Sequence, residues 1–218
     1  MQSLSRFPVL QMPPAVLACH RMKFCLPMIL AAAGLLHASP ARADEATDLA
    51  SIRALYAKID QGKPVKTESI PFAMEDDPME GTITRRSYKD GLVAIKLSYT
   101  AGDHGGSDQS YYFDEKGVFF ILVQDSSWQF AAGSTDETPK TTDTLAETRY
   151  YVRNGAIIQV LARSVTSSGG KKLAELIAKE ENRKVEKDEE GPALLKRAAA
   201  LAKIRTKEEA VKFFSSEG

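Results

Sequence analysis

Gln109-Ser-Tyr-Tyr-Phe-Asp-Glu-Lys-Gly-Val-Phe-Phe-Ile-Leu-Val-Gln124 decides the fold class. An aromatic strand, Gln109 to Phe113, runs into the turn Asp114-Glu115-Lys116-Gly117 and leaves it as an apolar strand, Val118 to Gln124. Two strand-length runs joined by a short glycine-bearing turn read as a β-hairpin. The same design occurs on either side of it. Thr82 to Tyr88 turns through Lys89-Asp90-Gly91 into Leu92 to Thr100, and Leu145 to Val152 turns through Arg153-Asn154-Gly155 into Ala156 to Arg163. Asp-Gly and Asn-Gly suit primed turns, whose two central residues must both tolerate positive φ.

Val93, Ile95, Leu97 and Tyr99 alternate with Ala94, Lys96 and Ser98, the period-two pattern of a sheet with one wet face. The unbroken apolar run Val118 to Val123 fits a central strand covered on both faces. The turn glycines Gly91, Gly117 and Gly155 have no fixed period, so the hairpins form a meander rather than a solenoid. Lys66 to Met74 is a candidate further strand, confined by Pro71 to an edge or a bulge. Trp128 and Phe130 extend the second hairpin or begin another short strand, and residues 133–139 form a polar loop.

Helical patterns flank the sheet. In residues 44–61, Leu49, Ile52, Leu55, Tyr56 and Ile59 recur at three-to-four-residue spacing, with Gly62 available as a left-handed C-terminal residue and Pro64 barring continuation. After Ser167-Ser168-Gly169-Gly170, the charged stretch Lys171 to Glu190 carries a thin apolar stripe. Ala193 to Ile204 is rich in Ala and Leu, and Thr206-x-x-Glu209 is a capping-box signature before Val211, Phe213 and Phe214. The expected fold is α+β: an antiparallel meander of about six strands, with an N-terminal helix and C-terminal helices packed on one face. Residues 44–168 hold the helix and sheet, and 169–218 the charged helices.

The first 43 residues lack Asp and Glu. Lys23 precedes an apolar run to Leu36, and Ala41-Arg42-Ala43 is an A-x-A site that would leave Asp44 as the new N-terminus. This is the pattern of a cleaved secretory signal peptide, too short to span a bilayer comfortably. Met22-Lys23 would also start a normal signal, so residues 1–21 read as a possible over-extended start. Cleavage removes Cys19, Cys25, His20 and His37 and leaves 25 basic against 29 acidic residues. The mature chain then holds no disulfide, thiolate metal site or cysteine nucleophile. Its negative balance argues against nucleic acid.

Candidate chemistry is sparse. The loop Ala101 to Asp108 holds His104, Ser107 and two aspartates, but three glycines support a catalytic constellation poorly. Glu75-Asp76-Asp77 with Glu80 lacks the spacing of a calcium loop. Phosphate-cradle, nucleophile-elbow and zinc-protease motifs are missing. No catalytic residue, metal ligand or cofactor is therefore assigned. Arg86, Tyr88, Lys96, Arg149, Tyr151 and Arg163, with Arg153, are the ligand-binding candidates, on the expectation that alternation gathers them on one sheet face.

The wording Ser110-Tyr111-Tyr112-Phe113-Asp114-Glu115-Lys116-Gly117, with Thr142-Asp143-Thr144 and Arg149 to Gly155 after it, resembles uncharacterised exported bacterial proteins with tandem Tyr-Tyr-Phe-x-x-Gly hairpins. The likeness spans roughly residues 82–163 and implies export and a β-meander. The expectation is a periplasmic or secreted, non-catalytic binding or interaction protein, its partner an envelope protein or small ligand, with no transmembrane anchor after cleavage. The alternatives are a carboxylate-dependent hydrolase of an envelope component and a structural subunit docking through its C-terminal helices.

Overall fold

The computed structural model describes residues 40–75, 78–168 and 172–216. The expected leader lies almost wholly outside these residues. The described chain opens with α1 (Pro40–Gln61) and continues through β1 (Lys66–Ala73), β2 (Met79–Ser87), β3 (Val93–Ala101), β4 (Gly105–Asp114), β5 (Gly117–Phe130), β6 (Thr141–Arg153) and β7 (Ala156–Ser168). The short helix α2 (Leu173–Ile177), β8 (Arg183–Lys184), α3 (Gly191–Leu201) and α4 (Lys207–Ser215) complete it. The strands form one antiparallel sheet in the order β1 to β8, each pairing with its neighbours in sequence.

The three hairpins stand as β2–β3, β4–β5 and β6–β7. Their turn chemistry is as the sequence demands: Asp90 and Gly91 have φ of 63° and 73°, Asn154 and Gly155 of 51° and 75°. In the middle turn, the Asp114 carboxylate accepts the Lys116 N–H at 2.8 Å. Trp128 and Phe130 extend β5 rather than starting a new strand.

The sheet has eight strands, not about six. β1 forms as an edge strand, where Pro71 costs no ladder hydrogen bond. β8 arises inside Lys171 to Glu190, which the sequence reads as helix. There α2 stops at Ile177, Arg183 and Lys184 pair with Ala162 and Leu161, and the Val185 N–H reaches the Val160 carbonyl at 3.0 Å. A thin apolar stripe gains too little from helix packing to compete with that ladder. Gly62 differs too. It ends α1 without a left-handed φ, and a Cβ there would stand 2.5 Å from the Lys58 carbonyl oxygen.

Alternation along the strands sorts the core into two layers. On one face Ile83, Ile95, Leu97, Tyr111, Ile121 and Tyr150 share a buried cluster with Leu194, Ala198 and Leu201 of α3, Ile204, and Ala210 and Phe214 of α4. On the other, Tyr112, Phe120 and Tyr151 meet Leu49, Ile52 and Ile59 of α1. Helix α1 and the pair α3 and α4 therefore cover opposite faces, which corrects the expectation that they share one. A meander this broad carries apolar residues on both faces, and each needs a cover. A β-bulge between Tyr112 and Phe113 sends both Phe119 and Phe120 into the α1 layer. Every large apolar side chain so buried contributes about 1.5–3 kcal/mol.

Polar groups fasten α3 to its face. The Tyr111 hydroxyl donates to Gln109 Oε1 at 2.6 Å, and Arg197 donates to the same oxygen at 3.1 Å. Arg85 donates to the carbonyls of Leu201 and Ala202, both at 3.0 Å, at the α3 C-terminus where cations are favoured. No helix among the described residues is long and apolar enough to cross a membrane.

Candidate functional site

The strand register places Arg86, Lys96, Arg149, Tyr151 and Arg163 on the α1 face, and Tyr88 packs into the same layer. The structure thus brings the six candidates to one face but divides their roles. Tyr151 is 5% exposed, with the Arg53 guanidinium of α1 5.6 Å from its ring centre; it belongs to the packing. Arg153 likewise serves α1, pairing with Asp48 at 2.9 Å. Arg86, Tyr88 and Lys96 line a hollow of about 410 Å³ beside Asp60 and Tyr112, under the end of α1.

Arg149 and Arg163 converge on a residue the sequence reading passed over. Glu147 lies only 4% exposed on the same face. Its Oε1 accepts from Arg149 (Nε 2.9 Å, Nη2 2.6 Å) and Arg163 (Nε and Nη2 both 2.8 Å), and its Oε2 accepts from Gln124 at 3.0 Å. Lys96 pairs with Asp108 at 2.9 Å. On this face, then, Arg149 and Arg163 share one carboxylate and Lys96 has its own.

Next to these pairs runs an open groove of about 850 Å³. Strand alternation gives it Thr82, Ser98, Asp108, Gln124, Ser126 and Leu145 from five successive strands, while Ala174 of α2 and Lys207 of α4 also line it. Its size falls within the ordinary range of ligand sites. Lys96 and Asp108 stand on the boundary with the smaller hollow, and Ser126 is shared with a third hollow of about 310 Å³ lined by Trp128, Asp143 and Leu173. The groove and the third hollow meet at Ser126 and form a track across the face, with the Lys96–Asp108 pair standing between it and the second hollow.

Two tyrosines at the α1 end have perturbed hydroxyls. Burial, reinforced by Tyr56, pushes Tyr112 well above the usual phenol range. Burial, then the Asp60 carboxylate, raises Tyr56. Both stay protonated at neutral pH and their rings meet edge to face at 5.2 Å.

The 101–108 loop assembles no catalytic constellation. His104 is exposed, its ring centre 4.3 Å from that of Trp128 and tilted by 39°, while the Trp128 indole N–H donates to the Asp103 carbonyl at 2.7 Å. Ser107 and Asp108 point to opposite faces, the former accepting from Gln109, the latter from Lys96. In the acidic loop, Asp76 and Asp77 lie outside the described residues, and no metal-holding group of three His, Cys, Asp or Glu occurs among those described.

The fold and site together define an antiparallel meander with an open groove on its α1 face. Comparison with family models, curated proteins and solved structures finds no match, so the site is interpreted from its own geometry.

Proposed function

We propose that this chain is an exported, non-catalytic binding protein whose ligand lies in the groove of the α1 face. The observation that carries this reading is an accessible groove of ligand size floored by residues of five adjacent strands, a rigid support for recognition. Of the carboxylates lining it, Glu80 and Asp108, Asp108 is held by Lys96 at 2.9 Å, which favours binding over carboxylate-dependent hydrolysis. The burial of Leu194, Leu201 and Phe214 against the sheet favours it over a subunit docking through free C-terminal helices.

Export is supported by the acid-free leader and its A-x-A site. Cleavage before Asp44 would leave the buried α1 residues Leu49, Ile52 and Ile59 in place, with the Asp48–Arg153 pair. Mass spectrometry of the protein recovered from a cell-envelope fraction tests this. An N-terminus at Asp44 supports export, and an intact Met1 in the cytoplasm refutes it.

Binding is tested by a thermal-shift screen of saccharides, peptides, organic acids and lipids on the wild type and Ser98→Phe, which fills the groove floor. A compound that stabilises only the wild type supports the reading. A screen in which no compound distinguishes the two refutes it.

A further inference from the structure

We infer that the groove takes a neutral oligosaccharide, a conclusion that rests on the binding reading above and narrows its ligand class. The first argument is charge. The residues lining the groove include Glu80, Asp108 and Lys207, and Lys96 beside it pairs with Asp108 at 2.9 Å. A charged ligand would lie against like charge there, an anion against Glu80 and Asp108 and a cation against Lys207. A ligand that hydrogen-bonds without net charge meets no such cost.

The second argument is the chemistry of the floor. Thr82 and Ser98 present hydroxyls along the line of the groove, and Gln124 and Ser126, whose donors serve Glu147 and the Gly106 carbonyl, present acceptor oxygens. That composition answers a chain of hydroxyl groups. Pro71, Ala73, Leu145 and Ala174 line the same groove and give the C–H faces of a sugar apolar surface to lie against.

The third argument is the far end of the track. Trp128 is held by its indole N–H on the Asp103 carbonyl and by the His104 ring, and Phe130 meets it edge to face at 5.3 Å while remaining 62% exposed. A pre-positioned aromatic surface next to a row of hydrogen-bonding groups matches a sugar ring, which has an apolar C–H face and a polar rim. The track offers both along its length.

Trp128 is the only tryptophan of the chain, so its emission reports on this end of the groove. The experiment titrates the full chain with cellohexaose and chitohexaose, following fluorescence and binding heat. The expected result is a saturable change with at least one sugar, weakened about tenfold by Gln124→Leu and abolished by Ser98→Phe. If neither sugar gives a saturable change, the oligosaccharide inference is overturned. If decanoate or a tripeptide then binds the wild type but not Ser98→Phe, the groove reading survives alone. If those probes also fail, both readings fall.

Discussion

Glu147 and Arg163 face each other across the β6–β7 ladder and close a 2.8 Å ion pair with 4% and 13% of their side chains exposed. The same carboxylate oxygen also takes Arg149, so one buried acid organises two guanidinium groups on the floor of the α1 face.

Removing that acid strands both cations. Glu147→Ala is expected to destabilise the fold by about 3 kcal/mol, the usual effect of breaking a buried pair from one side. Glu147→Gln keeps an acceptor oxygen and costs less. Urea denaturation of the three proteins measures the difference; a loss below about 1 kcal/mol for Glu147→Ala would show the pair to be effectively solvated.

Alkaline pH provides a second test. Burial raises the phenols of Tyr112 and of Tyr150, whose hydroxyl also donates to Asp188 at 3.2 Å. In the unfolded chain these groups titrate near the usual value of about 10. The folded state therefore retains protons that the unfolded state has released. The stabilisation is complete below that value and declines as pH rises through it toward the higher folded pKa values. The unfolding midpoint should fall progressively above pH 10, and Tyr112→Phe with Tyr150→Phe should flatten that fall. An unchanged slope in the double variant refutes the assignment.

At the α4 N-terminus, Thr206 Oγ1 accepts the Glu209 N–H at 3.2 Å and Glu209 Oε2 accepts the Thr206 N–H at 3.2 Å. Thr206→Ala should cost about 1 kcal/mol. Glu209→Ala should cost a comparable amount, since its carboxylate also takes the Arg205 N–H at 2.7 Å. The double variant should lose less than the sum, because the two bonds are reciprocal. Full additivity in denaturation experiments would argue against a capping box.

Gly81 is fixed by its neighbours. A Cβ there would stand 2.4 Å from the Ser98 carbonyl oxygen, 2.7 Å from Phe72 Cζ and 2.8 Å from Tyr99 Cβ. Gly81→Ala is expected to destabilise by about 1–3 kcal/mol, the range for overpacking a filled site. Gly91→Asn, in open space at a φ of 73°, should cost much less. Paired thermal melts make the comparison, and equal losses would refute it.

Local chemistry was the legible part of this molecule. Asp90-Gly91 and Asn154-Gly155 declare their turns, Thr206 and Glu209 their cap, and period-two alternation puts Arg86, Lys96 and Arg149 on one face. Pairing across strands was not legible. Bulges beside Tyr112 and Tyr151 shift the register by one residue, so nothing in the order of residues says that Glu147 lies opposite Arg163. β8 was hidden for a related reason: two charged residues become a strand only because the β7 edge is there to receive them. The groove is longer-range still, since its floor takes a residue from each of several strands.

Phe72 and Phe214 stack with ring centres 4.5 Å apart, joining the first strand of the meander to the last helix. Every strand pairing is between sequence neighbours, so the sheet can zip up progressively from its turns. Its other face, however, depends on α3 and α4 for its cover. A chain stopped before α4 would carry a formed but sticky half-shell, with Phe72 open to water. The Phe72–Phe214 contact thus works as a clasp between β1 and α4.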